Sequence, residues 1–207
     1  IEGIGCRRFT QYIRPQDNDR CRLSIQFDWT AVKQKKVPYL EGSSVKPYHF
    51  DPTILREYDI RGIYGETLTE RDAFAVGLCF GSIIKEEGDQ TVCVGYDGRK
   101  SSPSLDEYGI SGAMEAGINV INIDLTTTPT LGLSVRRFSA NGGIMVTASH
   151  NPIQWNALKI MNEFGEVINK RMSEDILKIK KNRSFNFAQL ENLGSIKSEF
   201  TQIDQHI

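Results

Sequence analysis

The 207-residue sequence is poor in the features that announce a specialised class of protein. It has four cysteines, Cys6, Cys21, Cys79 and Cys93, none in Cys-x-x-Cys spacing and none with histidines at zinc-site spacing. Neither a disulfide framework nor a structural metal is indicated. Cys79 and Cys93 lie inside apolar segments, where a thiol acts as a small hydrophobe, so free thiols in a reducing, cytoplasmic setting are expected. No apolar run approaches the ~20 residues of a membrane span, and the first residues carry neither part of a signal peptide. The net charge is −1, from 25 Lys and Arg against 26 Asp and Glu. No global field therefore draws the chain to a membrane or to nucleic acid, and neither partner is expected. No Gly-x-Gly-x-x-Gly fingerprint marks a dinucleotide binder. Internal repeats and low-complexity runs are absent. The chain starts at Ile1 rather than Met, which fits a fragment or a processed product.

What is present divides unevenly. Residues 1–45 are rich in Arg and Lys, interleaved with Phe9, Tyr12, Phe27 and Trp29, and show no sustained period. Two readings stand: a solvated extension, or a basic surface for an anionic partner. After Val37 to Ser44, a linker with Pro38 and Gly42, the pattern becomes regular. Thr69 to Glu87 reads as a helix with Thr69 as N-cap, Asp72 in its first turn, and Ala73, Val76, Phe80, Ile83 and Ile84 on one face. Thr91 to Tyr96 reads as a strand, Ser101 to Ala116 as a helix, Ile118 to Leu125 as a strand, Thr130 to Phe138 as a short helix, and Gly143 to Thr147 as a strand. Further strand and helix are expected at Ala157 to Met161 and Ser173 to Lys181, with Asn162 to Glu166 as a turn. Strand–helix alternation implies a largely parallel sheet covered on both faces. The right-handed crossover rule then gathers the loops after successive strands on one edge, where α/β folds place their sites.

Three polar loops reach that edge. Gly95-Tyr96-Asp97-Gly98-Arg99 follows one strand and Thr126 to Thr130 a second. The third, Thr147-Ala148-Ser149-His150-Asn151-Pro152, ends the apolar run Ile144-Met145-Val146. It sets a hydroxyl, an imidazole and an amide on one tight loop. On its own it reads as a candidate site loop or as a polar turn. Arg99 either braces that loop or touches a ligand. Upstream, Arg56, Glu57, Asp59 and Arg61 crowd one strand-and-loop segment, with Gly62 and Gly65 permitting a turn around Tyr64. They form either a surface ion-pair set or an anion site using the fork of Arg61.

These segments carry a resemblance. At Thr147 to Pro152, and again at Asn156 to Lys159, the sequence resembles the α-D-phosphohexomutase superfamily, whose signature loop has all six residues of Thr-Ala-Ser-His-Asn-Pro. Leu55 to Gly62 is similar to the family's opening motif, and its Tyr-Asp-Ile-Arg-Gly wording resembles the phosphomannomutase/phosphoglucomutase branch. Gly95 to Arg99 and Thr127 to Thr130 match two further landmarks, so four stand in family order over about Phe50 to Lys181.

The resemblance implies a three-layer α/β/α fold with a mixed, mostly parallel sheet. It implies that residues 46–185 are the family's first domain, behind the extension at 1–45, with 186–207 leading toward a second. It implies an intramolecular phosphotransferase that interconverts hexose 1-phosphate and hexose 6-phosphate, of mannose or glucose, through a phosphoserine and a hexose 1,6-bisphosphate. Ser149 would carry the phosphoryl group, and its phosphate would help to hold Mg2+. His150 would donate a hydrogen bond or carry a proton, Lys159 and Arg61 would stabilise the moving group, and Tyr58, Arg61 and Lys159 would meet the substrate. Family members are about twice as long and keep an Asp-Gly-rich metal loop in their second domain. No Asp-Gly-Asp-Gly-Asp run occurs here, so the remaining mutase domains are expected partners, and little or no activity is expected of this chain alone. A second departure is Trp155-Asn156-Ala157, where the family has Tyr-Asn-Gly; alanine takes positive φ less freely than glycine, which bears on the approach of Lys159. A different class of reading is a truncated, non-catalytic module that binds a partner through its basic leader.

Overall fold

The computed structural model describes residues 50–56, 58–88, 90–168 and 187–199. Within them the chain forms β1 (Ile60–Ile63), α1 (Glu70–Glu86), β2 (Thr91–Tyr96), α2 (Ser102–Glu115), β3 (Asn119–Leu125), α3 (Thr128–Arg137), β4 (Gly143–Val146), β5 (Trp155–Met161) and β6 (Ile196–Ser198). Short 3-10 turns occupy Pro52–Ile54 and Leu190–Asn192. The extension at 1–45 and the helix expected over Ser173 to Lys181 lie outside the described residues.

Local chemistry sets the helix ends. The Asp72 carboxylate accepts both the N–H and the hydroxyl of Thr69 at 2.7 Å, which starts α1. Gly88, at φ +88°, stops it. Ala73, Val76, Phe80 and Ile84 are buried as the helical spacing predicts. Leu78 and Cys79 are buried too, so α1 is covered on more than one side. In α2 Pro103 sits in the first turn, where its missing N–H costs nothing. The two helices touch backbone to backbone. A Cβ on Gly77 would lie 2.0 Å from the Gly109 carbonyl oxygen, and one on Gly112 would lie 2.1 Å from that of Phe74.

The six strands lie in the order β1-β5-β4-β2-β3-β6. β2 pairs in parallel with β3 and β4, and β3 with β6, whereas β5 runs antiparallel to both β4 and β1. This is the three-layer α/β/α arrangement with a mixed, mostly parallel sheet. The apolar runs of β2 and β4 are buried on both sides, as a doubly covered sheet requires. Cys93, Ile123, Met145 and Met161 pack with Leu131, Val135 and Ala140 beneath α3. On the opposite face Leu158 approaches Gly109 of α2. Cys79 and Cys93 are buried and in no disulfide among the described residues, and burial pushes the Cys93 thiol up to about 12, so it stays protonated and inert at neutral pH.

The structure departs from the sequence-based expectation at several boundaries. In the strand-and-loop segment around Arg56 to Arg61 the strand comes late: Asp51 caps the turn at Pro52–Ile54 by accepting the Thr53 N–H at 2.9 Å, and β1 starts at Ile60. Gly62 lies inside β1, where a Cβ would come within 2.6 Å of Thr67 Oγ1, and Gly65 alone takes the positive φ of the turn, +82°. The third helix starts at Thr128, two residues early, because Thr127 is the cap and accepts the Thr130 N–H. The fifth strand starts at Trp155, and the turn after it does close a hairpin, with Met161 bridging to Val167. β6 has no counterpart in the sequence reading. It joins the sheet edge beside β3, where Val120 N–H donates to the Ser195 carbonyl at 2.7 Å.

One buried group works against the fold. Asp106 of α2 is buried, its Oδ1 has no partner among the described residues, and burial pushes its carboxyl well above the usual carboxylate range, with the charges of Asp124 and Glu107 adding to the effect. Below about pH 3.9 both folded and unfolded chains are protonated here. Above that, only the unfolded chain gains by ionising, so stability falls as pH rises toward the raised folded value. Asp106→Asn, which mimics the neutral form, is expected to match the parent in urea unfolding at the acid end of this window. At neutral pH it should be more stable by on the order of 1–3 kcal/mol.

Candidate active site

The carboxyl ends of β2, β3 and β4 meet on one edge of the sheet, and β1 ends there too. Asp97 N–H donates to the Val146 carbonyl at 3.0 Å, Thr126 N–H to Tyr96 at 2.8 Å, and Tyr64 N–H to Gln154 at 2.9 Å. A one-residue slip between β2 and β3 pairs Gly95 with Asp124, which stands at φ +65°, its N–H held by Asn122 Oδ1 at 2.8 Å. The Tyr64 hydroxyl and Ser104 Oγ both donate to Glu70 Oε1, tying the turn after β1 to the first residues of α1 and α2. The Glu70 bond raises the Tyr64 hydroxyl above its usual range. At Glu70 burial works upward, but the donors from Tyr64, its own backbone and Ser104 outweigh it, and the carboxyl ends below its usual range.

Ser149 stands on the loop after β4, exposed, with its backbone at φ +56°. Its Oγ is 3.4 Å from Nδ1 of His150, which is also exposed. The loop beneath it is tightly bonded. Ser149 N–H donates to Thr147 Oγ1 at 2.9 Å, and the Thr147 hydroxyl donates to Asp97 Oδ2 at 2.7 Å. Both the N–H and the side-chain amide of Asn151 donate to the Ala148 carbonyl. Asn156, fully buried, donates to the hydroxyls of Ser101 at 2.8 Å and Ser102 at 2.9 Å, and so fixes the start of β5 to the start of α2.

Arg99 braces this loop rather than facing a ligand. It donates to the carbonyl oxygens of Ser149 and Asn151 at 2.8 Å each, of Pro152 at 2.9 Å and of Trp155 at 3.1 Å, and its Nε pairs with Asp97 at 3.2 Å. Those contacts use every N–H donor a guanidinium has. Trp155 lies under Arg56, whose guanidinium carbon is 5.3 Å from the ring centroid.

The expected cations form a second group. Lys159 lies opposite Met145, and Arg61 opposite Ala157, so both share one face of the sheet. They converge on Asp59, which is buried: Lys159 Nζ is 2.9 Å from its Oδ2 and Arg61 Nε is 3.5 Å from its Oδ1. The second contact is an ion pair without hydrogen-bond geometry. No hydrogen bond or ion pair joins either cation to Ser149 among the described residues. Tyr58 is exposed beside Asp59. Asp59 itself was not singled out from the sequence, where it is one of four charged residues in a row of six. Ala157 has no positive φ: it is a buried residue of β5 in ordinary register, so the lysine's place on the strand does not depend on a glycine there. The described residues include no group of three His, Cys, Asp or Glu side chains placed to hold a metal ion. Asp97, which is linked to Ser149 through Thr147, already accepts from four donors. Among the described residues the donor set does not by itself make a magnesium site.

The site is thus an exposed hydroxyl on a braced loop, at the carboxyl edge of the sheet in a three-layer α/β/α domain. The sequence profile described as phosphoglucomutase/phosphomannomutase, alpha/beta/alpha domain I, matches residues 52–187. A phosphomannomutase/phosphoglucomutase of Pseudomonas putida is 35% identical over 136 residues, which cover 66% of this chain and 29% of the relative. A phosphoglucomutase/phosphomannomutase of Thermococcus kodakarensis is 31% identical over 144 residues, covering 69% and 32%. Among solved structures, a phosphoglucomutase/phosphomannomutase family protein of Burkholderia thailandensis superposes with a TM-score of 0.68 at 28% identity, over 76% of this chain and 35% of that one. The chain belongs to the phosphoglucomutase/phosphomannomutase family and corresponds to its α/β/α domain I. It spans about a third of the length of the curated relatives it matches.

The Asp59 cluster generates a prediction. Asp59→Asn leaves Lys159 and Arg61 without a counter-ion, and is expected to lower the urea-unfolding free energy by about 1–3 kcal/mol at neutral pH, less than for a fully buried pair because both cations are partly exposed. Combining it with Lys159→Met should recover part of the loss, with a coupling of about 0.5–2 kcal/mol in a double-mutant cycle.

Proposed function

We propose that this chain is the phosphoserine-bearing part of a hexose phosphate mutase, with Ser149 as the phosphoryl carrier. The observation that carries the reading is the exposed Ser149 hydroxyl on a loop whose backbone is bonded on every side, with an imidazole nitrogen at 3.4 Å. Phosphoryl transfer asks the protein for positioning and positive charge more than for covalent chemistry. In the forward step a hydroxyl of a mannose or glucose phosphate attacks the phosphoserine, the bond to Ser149 Oγ breaks, and Oγ takes up a proton. The hexose 1,6-bisphosphate then turns and returns its other phosphoryl group to Ser149, giving the isomeric monophosphate. His150, facing Oγ, holds or releases that proton. Arg61 and Lys159 supply positive charge on the shared sheet face, and Tyr58, which is exposed, meets the sugar in this reading. A divalent cation belongs to the family reading, but the residues described here do not form its site and no step is assigned to it.

The names of the relatives support the substrate class, and the share of their length that the chain covers supports further mutase domains as partners. No helix among the described residues is long and apolar enough to cross a membrane, and a cytoplasmic setting is part of the same proposal. The alternative, a binding module acting through the basic leader, rests on residues outside those described, and no observation favours it.

Intact mass spectrometry after incubation with hexose 1,6-bisphosphate and magnesium is expected to show the gain of one phosphoryl group, lost in Ser149→Ala. Uptake that survives Ser149→Ala would overturn the assignment. In a coupled assay the 207-residue chain alone is expected to give little or no sustained interconversion of hexose phosphates, since its single acceptor lacks the rest of a substrate grip.

A further inference from the structure

The backbone at Ser149 is held in a conformation that a serine seldom adopts. At φ +56° it lies in the left-handed region, which L-residues with a side chain occupy only when the surroundings enforce it. The enforcing contacts close on themselves. Ser149 N–H donates to Thr147 Oγ1, Thr147 Oγ1 donates to Asp97 Oδ2, Arg99 Nε donates to the same Oδ2, and Arg99 Nη2 donates to the Ser149 carbonyl oxygen. Both polar groups of the serine's backbone thus belong to one ring of hydrogen bonds.

We propose that Thr147, Asp97 and Arg99 are positioning residues for the phosphoryl acceptor: their ring fixes the left-handed backbone of Ser149 and so aims its hydroxyl. The inference deepens the phosphoserine reading given above and rests on it for its catalytic meaning. None of the three touches a reacting atom. Thr147 is buried and Arg99 is nearly so, and every N–H of Arg99 is already directed at a protein oxygen, which leaves none for a substrate phosphate. The ring is also anchored from behind. Asp97 Oδ1 accepts the Ser102 hydroxyl at 2.6 Å and the Arg99 N–H at 3.0 Å, so the ring stands on the first turn of α2. Ser102 Oγ in turn accepts the Asn156 amide, and Arg99 binds the Trp155 carbonyl. The aim of Ser149 and the start of the strand that carries Lys159 are therefore set by the same few bonds. Lysine cannot replace Arg99, because a single ammonium cannot reach four carbonyl oxygens spread over residues 149–155 and also pair with Asp97.

The test reads the loop directly. In the parent chain the Ser149 Cα and Cβ NMR shifts are expected at left-handed values. In Arg99→Ala, in Arg99→Lys and in Thr147→Val, which removes one hydroxyl and little volume, those shifts are expected to leave the left-handed range while amide exchange in β2 and β4 stays as protected as in the parent. Low concentrations of a guanidinium salt should return them in Arg99→Ala. Should Arg99→Ala unfold, Thr147→Val decides alone. Ser149 shifts that stay left-handed in Thr147→Val, or in Arg99→Ala without added guanidinium, would overturn the proposal. With hexose 1,6-bisphosphate as donor, the saturating rate of phosphate uptake should fall at least tenfold in the variants, with the half-saturating concentration little changed. A parent chain that takes up no phosphate would sink the phosphoserine reading and leave the shift measurement to decide the ring.

Discussion

The structure turns on one guanidinium. Arg99 gathers four carbonyl oxygens from a seven-residue stretch, and does so while paired to Asp97. A loop that turns sharply satisfies only some of its own carbonyls, and those that are partly buried need a partner from elsewhere. One planar fork with five fixed donors meets that demand without adding bulk. The charge it brings inside is balanced by Asp97, whose own oxygens are filled by four donors. Remove Arg99, and the carbonyls, the carboxylate and the left-handed serine all lose their reason to stay where they are.

That arrangement depends on the sheet. β2 and β4 are parallel neighbours, so Asp97 and Thr147, each one residue past its strand, arrive side by side. The reversal of β5 brings Trp155 and Asn156 back to the same edge, which a fully parallel sheet would not have done. The antiparallel strand also places Lys159 in register with Asp59 at the start of β1. Close helix packing on glycine holds α1 against α2, and α2 supplies Ser101 and Ser102 to Asn156. The site is thus a product of strand direction as much as of residue type.

Much of this was legible in the sequence, and the failures have physical causes. The first long helix was plain because its cap, its period and its stop agree. The strand Thr91–Tyr96 was plain because a doubly buried strand reads as a continuous apolar run. β6 was not, being three residues long and largely exposed, with no alternation to see. The early start of α3 was hidden because two threonines compete for the cap, and proline fits the first turn from either. The signature loop announced Ser149, but nothing local announced its brace: Arg99 meets its carbonyl partners across 50 to 56 residues of sequence. Asp59 was lost among charges whose ranking depends on burial, and burial is what a charge run conceals. Asp106 likewise reads as one more acid beside Glu107, yet one is buried and the other exposed.

The bonding at Ser149 carries a last consequence. On the proposed phosphoserine reading, an oxygen that is a phosphate ester in one state and a free hydroxyl in the other cannot also hold the loop, or the loop would change with each transfer. Here the brace takes the serine's N–H and its carbonyl, and among the described residues leaves Oγ with only the 3.4 Å approach of His150. Lys159 and Arg61 are partnered by Asp59, and among the described residues neither bonds to Ser149. On that reading, gaining or losing a phosphoryl group would break none of the loop's bonds among the described residues. A fixed backbone beside a free side chain is what the proposed role of a reusable acceptor requires.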